Sequence, residues 1–207
     1  ASGERGILAI SPHGAVHEPA TGWAGGPFRG PNDLCFRPNG DLYFTDPKGS
    51  SPDHPIGNVF ILRHTGDVER FADGFQFPHG LVFSDDGATL YLAETYPSRI
   101  WAFDVDEYGR ERSRRVFAQL EAGSGPDGIA LDQDGNLYAA RYGKGGVAVI
   151  DPAGQVIAEL PTYGQHPTNL AFWDGSLYVT EVEHGQVVRL DIGVAGQVLY
   201  GLGPLHA

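Results

Sequence analysis

Short runs of apolar residues recur along the chain, and each is followed by a glycine-containing turn and a run in which apolar and polar residues alternate. Alternation with a period of two is typical of a β-strand with one buried face. β-branched and aromatic residues fill these runs, and Asn-Gly, Asp-Gly and Thr-Gly pairs fill the turns. Each unit is therefore predicted to begin with a β-hairpin.

The hairpin units repeat at a regular spacing. Each apolar run follows a proline, and Pro31, Pro78, Pro126 and Pro167 are separated by 47, 48 and 41 residues. Two further strands are predicted in each unit, at residues 58–62 and 67–71, 99–104 and 114–117, 146–150 and 155–159, and 186–190 and 197–200. Repeats of this length built from four short strands are typical of a β-propeller. The sequence predicts an all-β fold, a β-propeller of four-stranded antiparallel blades, in which the charged residues 106–115 form no more than a short turn.

The residues before the first unit resemble only half a blade. They predict a third and a fourth strand, at 6–10 and 15–18, without the first two. At about 46 residues per blade the chain makes about four and a half blades. An open ring exposes the apolar face of a blade, so propellers close. We therefore expect one β-propeller domain over residues 1–207 that lacks N-terminal blades, with a missing segment or a second chain closing the ring. A naturally short ring is the alternative.

Composition and charge exclude several classes of partner. The net charge of −12 argues against binding a nucleic-acid backbone. No apolar run approaches the roughly 18 residues of a membrane span, and no signal peptide is visible at the start. We therefore expect a cytoplasmic protein with neither a nucleic-acid nor a membrane partner. The single cysteine, Cys35, lies in an apolar run and is predicted to be a buried, unreactive thiol.

The residue after each repeated proline varies, although the frame around it does not. The four residues are Asn32, His79, Asp127 and Thr168. Because the inner strands of a propeller start at one mouth of the channel, these side chains are predicted to lie around one opening. Carboxylate, amide and imidazole groups together suit a cation or a polar ligand. The alternative is that these residues only form turns.

Three short sequence motifs, each followed by the second strand of its unit, resemble those of a known family. They are Pro31-Asn32-Asp33, Pro126-Asp127-Gly128 and Pro167-Thr168-Asn169-Leu170. Through these motifs the chain resembles the family of senescence marker protein, gluconolactonase and luciferin-regenerating enzyme. The resemblance covers residues 6–202. The resemblance implies a six-bladed propeller, related to diisopropyl fluorophosphatase, with one divalent cation in the central channel.

The resemblance also implies a ligand set. Asn32, His79 and Asp127 fall on metal positions, and Asp127 is implied to act as base or nucleophile. The position of Asn32 binds the metal in some members of the family and lies beside the substrate in others. The cation is expected to be calcium, with zinc, manganese or magnesium as alternatives. His79 stands where the family has an asparagine, and an imidazole moves preference toward zinc, manganese or iron. This histidine could instead contact the substrate or act as a structural residue. The family's glutamate ligand falls in a region that this chain does not contain.

The activity implied by the resemblance is metal-dependent opening of a lactone at the central channel, the reaction of a carboxylic ester hydrolase. The cation would polarise the carbonyl, and Asp127 would activate a water or attack directly. His79 is the second candidate catalytic residue. The candidate substrate-binding residues are Glu94, Arg141, Tyr142, Thr168, Asn169 and Glu181.

Two other functions fit the same residues. One is a non-catalytic propeller that binds a ligand or a protein through its channel face. The other is a propeller lyase that uses His79 as its base.

Overall fold

A computed structural model describes residues 6–123 and 125–200. The regular structure of these residues consists of β-strands, and they contain no helix long and apolar enough to cross a membrane. Two short hairpins come first: β1 (Ile7–Ile10) with β2 (Val16–Ala20), and β3 (Gly22–Trp23) with β4 (Gly26–Pro27).

Four antiparallel sheets follow, each built from strands consecutive in sequence. Blade 1 consists of β5 (Leu34–Phe36), β6 (Leu42–Asp46), β7 (Gly57–Leu62) and β8 (Val68–Phe75). Blade 2 consists of β9 (Pro78–Phe83), β10 (Thr89–Glu94), β11 (Arg99–Val105) and β12 (Glu111–Gln119). Blade 3 consists of β13 (Gly125–Leu131), β14 (Leu137–Tyr142), β15 (Val147–Ile150) and β16 (Val156–Leu160). Blade 4 consists of β17 (Pro167–Trp173), β18 (Ser176–Glu181) and β19 (Gln186–Asp191).

The predicted all-β propeller is confirmed, and the strands predicted at 6–10 and 15–18 are confirmed as the antiparallel pair β1 and β2. That this pair is half of an incomplete blade stays a prediction. The strand predicted at 197–200 is wrong. The backbone N–H of Gln197 donates to Leu131 O at 2.9 Å, and Gln197 Nε2 donates to Phe83 O at 3.0 Å. The C-terminal segment (residues 195–200) therefore satisfies polar groups of blades 2 and 3 instead of extending blade 4.

The short turn predicted at 106–115 is only partly correct. Residues 107–109 turn, but β12 begins at Glu111 and includes charged residues through Arg115. Charge does not oppose a strand here, because β12 is the outermost strand of its blade and most of those residues are exposed. Its pairing with β11 supplies the backbone hydrogen bonds.

The core lies between successive blades rather than at one centre. Tyr43 of blade 1 packs edge-on against Phe83 of blade 2, with ring centroids 4.8 Å apart. Tyr138 of blade 3 packs in the same way against Phe172 of blade 4, at 4.9 Å. Burial of side chains from two sheets stabilises each interface. The β1–β2 pair and blade 4 also expose apolar side chains, such as Ile10 at 68% and Val187 at 63%.

Asp41 provides a test of what stabilises blade 1. Its side chain is 2% exposed, and it accepts hydrogen bonds from Arg63 Nη1 at 2.9 Å and from the backbone N–H of His64 at 3.0 Å. Burial raises the pKa of Asp41, but these hydrogen bonds outweigh it and lower the pKa to about 2. Because the folded pKa lies below the unfolded value, the stabilisation is present above about pH 4 and is lost as the pH falls toward 2.

We expect Asp41→Asn to lower the free energy of unfolding by about 2 kcal/mol at pH 7. The difference from the wild type should shrink as the pH falls from 4 toward 2, because the wild-type carboxylate is then protonated. Urea denaturation at pH 7 and pH 3 measures both quantities. Asp53→Asn, at an exposed position, should change the stability by less than about 0.5 kcal/mol. Equal losses of unfolding free energy in the two variants would contradict a stabilising role for the hydrogen bonds of Asp41.

Candidate functional site

His79 and Asp127 form the centre of the candidate site. His79 is the second residue of β9, and Asp127 is the third residue of β13. His79 Nδ1 lies 2.7 Å from Asp127 Oδ1, and the two side chains are 11% and 14% exposed. Two residues that follow repeated prolines in neighbouring blades thus form a direct pair.

The hydrogen bonds around His79 fix the tautomer of its ring. Thr95 Oγ1 donates its proton to Pro126 O at 2.9 Å, so it can only accept from His79 Nδ1, which lies 3.3 Å away. The proton therefore resides on Nδ1, which donates to Asp127 and more weakly to Thr95. His79 Nε2 is buried and has no hydrogen-bond partner among the described residues. The hydrogen-bonding capacity of this buried atom is thus unused by the described residues.

Glycines bring the strands that carry this pair close together. A Cβ placed on Gly80 would lie 2.5 Å from Asp127 O and 2.7 Å from Ile129 N, and a Cβ on Gly128 would collide with Asn169. Only residues without a side chain allow β9, β13 and β17 to approach this closely. The pairing of His79 with Asp127 depends on that approach.

Asp33 is a site residue that sequence reasoning missed. Burial raises the pKa of Asp33 to about 6, and the charge of Asp127 adds to this rise, while a hydrogen bond from the Leu34 backbone and the charge of His79 oppose it. The carboxylate is therefore close enough to sense both members of the pair. The signal was present in the repeats, because the corresponding positions hold Gly80, Gly128 and Asn169, and only this one is acidic.

Asn32 and Thr168 are not in direct contact with the pair. Asn32 is exposed, and its backbone N–H donates to Thr45 O at 2.9 Å. Thr168 Oγ1 lies 2.8 Å from Thr180 Oγ1. The predicted metal role of Asn32 and substrate role of Thr168 stay predictions.

Glu94 and Glu181 hold the chain that leads into the inner strands. Each residue is 1% exposed. Glu94 Oε1 accepts the backbone N–H of Gln76 at 2.6 Å, and Glu181 Oε1 accepts that of His166 at 3.2 Å. Asp46 binds the backbone of Gly30 in the same way, at 2.6 Å. The repeated carboxylates thus position the inner strands, and a substrate contact by Glu94 or Glu181 stays a prediction.

Arg141 and Tyr142 lie at the end of β14. Arg141 is buried and contacts the carboxylates of Glu159 and Glu121. Tyr142 is 42% exposed, and its ring centroid lies 4.7 Å from that of His166. Their predicted substrate contacts, and that of the exposed Asn169 on β17, are not tested by this geometry.

A second group of possible metal ligands lies on blade 4. His166, Glu181 and Glu183 each offer an atom, and these atoms lie within 4.8 Å of one another. Burial raises the pKa of Glu181, but hydrogen bonds from the backbone of His184 and Glu183 and from the His184 ring outweigh it and lower the pKa to about 2. Because these donors already occupy the Glu181 oxygens, this group suits a cation less well than the His79–Asp127 pair does.

Comparison with known proteins assigns the chain to a family. The profile of the SMP-30/Gluconolactonase/LRE-like region matches residues 3–190. Diisopropyl-fluorophosphatase from Loligo vulgaris is 26% identical over 90% of this chain and 65% of its own length. Gluconolactonase from Zymomonas mobilis is 29% identical over 91% of this chain and 58% of its own length. The chain thus spans less than two thirds of either relative.

A solved structure shares the fold. Regucalcin from Agrobacterium tumefaciens, described as a calcium-binding protein, superposes with a TM-score of 0.83 at 24% identity, covering 96% of this chain and 73% of that one. At that identity the likeness concerns the fold alone. With the profile matching nearly the whole sequence, the chain belongs to the SMP-30/Gluconolactonase/LRE-like family.

Proposed function

We propose that the chain hydrolyses a lactone, as a carboxylic ester hydrolase, where His79 meets Asp127 at the mouth of the central channel. The observation that carries the proposal is the 2.7 Å contact between the two side chains, which leaves a buried Nε2 without a partner among the described residues. Such polar groups with unused bonding capacity are typical of a site that binds a ligand. The gluconolactonase relative supports a lactone as the class of substrate.

A divalent cation fits these residues. An imidazole whose Nδ1–H is held by a carboxylate, with its other nitrogen free, has the arrangement of a metal-binding histidine. His79 would supply that nitrogen and Asn32 an oxygen, while the Asp127 carboxylate, which holds Nδ1–H on the other side of the ring, would orient the imidazole. An imidazole nitrogen suits zinc or manganese better than calcium, which prefers six to eight oxygens. The calcium-binding neighbour supports a divalent cation in this fold. When bound, the cation would polarise the lactone carbonyl.

Asp127 is the proposed base. Its carboxylate takes a proton from the attacking water while the bond from the water oxygen to the carbonyl carbon forms. The ring carbon–oxygen bond then breaks, and the same proton passes to the departing alkoxide, which yields a hydroxy acid. The hydrogen bond from His79 Nδ1 keeps the Asp127 carboxylate in place throughout.

The unpartnered Nε2 also favours a second candidate, a lyase. In that reaction His79 would use Nε2 to remove a proton from carbon next to the carbonyl, and a carbon–oxygen bond would break without water. Mass spectrometry separates the two reactions, because hydrolysis adds the mass of one water to the substrate and elimination leaves the mass unchanged.

The purified chain provides the direct test. Its metal content is measured first, and hydrolysis of glucono-δ-lactone is then followed before and after treatment with a chelator. We expect activity to disappear with the metal and to return when zinc or manganese is added. Lack of hydrolysis with every lactone tested would overturn the proposed activity. Full activity in the metal-free protein would overturn the metal dependence and leave the proposed hydrolase activity intact.

We expect His79→Asn to change which cation supports activity. The amide oxygen of asparagine is a harder ligand than an imidazole nitrogen, so calcium should bind better relative to zinc. The ratio of the calcium to the zinc concentration that gives half-maximal activity should therefore fall by at least about tenfold. Titration of the metal-free variant with each cation measures this ratio. His13→Asn, at an exposed position on the first hairpin, should leave the ratio unchanged. An unchanged ratio in His79→Asn would remove this residue from the ligand set.

A further inference from the structure

A cavity of about 700 Å³ lies between the inner strands of the four blades. β5, β9, β13 and β17 all contribute to its wall, and Asp33 and Asn169 line the end at which these strands begin. That end is the one next to His79 and Asp127, because both residues lie near the starts of β9 and β13. A volume of this size accommodates a small-molecule ligand.

The middle of the cavity wall is apolar. One layer of side chains there, the leucine layer, consists of Leu34, Leu81, Leu170 and Ile129, one from each blade. Leu34 is 48% exposed and supplies most of the apolar surface of this layer, whereas Leu81, Ile129 and Leu170 are 3%, 5% and 7% exposed because they also pack between blades. The remaining polar side chains of the wall, Asp174, Gln197 and Tyr200, belong to the opposite end.

The C-terminal segment crosses that opposite end. The backbone N–H of Gln133 donates to Ala195 O at 3.1 Å, and that of Gln197 donates to Leu131 O at 2.9 Å. Val198 and Leu199 of this segment line the cavity and extend its apolar wall. The cavity therefore has a polar end formed by Asp33 and Asn169, next to the His79–Asp127 pair, an apolar middle, and polar side chains again beside the C-terminal segment.

This distribution discriminates between kinds of lactone. A sugar lactone carries a hydroxyl on nearly every carbon, and each hydroxyl placed against the leucine layer loses its hydrogen bonds to water. An alkyl chain loses none, and its burial strengthens binding by about two- to fourfold per methylene. The wall thus favours a substrate with one polar head and an apolar tail.

We propose that the substrate is a lactone or ester carrying an alkyl chain of about six to ten carbons, with its carbonyl at His79 and Asp127 and its chain between the leucine layer and the C-terminal segment. This substrate class rests on the proposed hydrolase function. It adds a prediction of its own, a dependence of rate and binding on chain length.

The test compares γ-lactones that differ only in their alkyl group, from γ-valerolactone with a methyl group through γ-decalactone with a hexyl group to γ-dodecalactone with an octyl group, with glucono-δ-lactone as the polar reference. We expect kcat/KM to rise at least about tenfold along the series and to exceed that for glucono-δ-lactone. Ala171→Phe places a ring in the cavity, since Ala171 is exposed and lines it. This variant should lose the chain-length dependence, with a larger fall in kcat/KM for γ-decalactone than for γ-valerolactone. Ala158→Phe, exposed on the outermost strand β16, is the matched control and should behave as the wild type.

Failure of this substrate class and failure of the hydrolase function give different results. Hydrolysis at a rate independent of chain length, or a preference for glucono-δ-lactone, would overturn the class and leave the hydrolase intact. If no lactone is hydrolysed, calorimetric titration with γ-decalactone decides. Binding that weakens at least about tenfold in Ala171→Phe but not in Ala158→Phe supports an apolar tail site, and equal or absent binding overturns it.

Discussion

Replacing Asp127 with asparagine is expected to lower kcat/KM for lactone hydrolysis by about a hundredfold to ten-thousandfold. Asparagine keeps an oxygen that can accept the hydrogen bond from His79 Nδ1, so the imidazole should stay in place. It cannot take a proton from water, so the proposed base is lost. Because that proton moves only in the transition state, the loss should appear mainly in kcat, with KM changed by less than about threefold.

The comparison variant is Asp134→Asn, which removes the same charge from an exposed turn of the same blade. It should retain the wild-type rate, and this excludes a general effect of charge in a chain with a net charge of −12. Thermal denaturation of both variants checks that the fold is intact. A rate above half of the wild-type value in Asp127→Asn would mean that this carboxylate is not the base.

The repeats were sufficient to predict the blades because each blade is a local structure. Its strands follow one another in sequence, and the period-two pattern and the glycine turns specify each hairpin. The error at residues 197–200 has a different origin. Gln197 bonds to Phe83 and Leu131, which lie far away in the sequence, and no local pattern encodes such contacts.

The site was predictable only in outline. The sequence motifs around His79 and Asp127 indicated neighbouring positions. The 2.7 Å contact between His79 Nδ1 and Asp127 Oδ1, however, depends on how closely β9 and β13 approach each other. Asp33 was not predicted because the repeats vary most visibly at the residue directly after each proline, and Asp33 is one position further on. The hydrogen bond that Glu94 accepts from the backbone N–H of Gln76 could not be predicted either, since a strand-end carboxylate can face the solvent, a ligand or the chain.

The closeness of blades 2 and 3 can be tested at Gly80. An added methyl group would lie 2.5 Å from Asp127 O and 2.7 Å from Ile129 N, and both are backbone atoms that cannot move without shifting the strand. We expect Gly80→Ala to lower the free energy of unfolding by about 2–3 kcal/mol. The folded variant should lose at least about tenfold in kcat/KM, because separating β9 from β13 moves His79 away from Asp127.

Gly14→Ala is the informative comparison. Gly14 has a φ of +81° and no atom within 4 Å of an added Cβ among the described residues, so this change strains the backbone without crowding a neighbour. It should cost about 1 kcal/mol and leave kcat/KM unchanged. Wild-type stability in Gly80→Ala would contradict the close approach of the two strands. Lost stability with full activity in the folded protein would show that catalysis does not depend on the His79–Asp127 distance, and His79 would then have no role in positioning the Asp127 carboxylate.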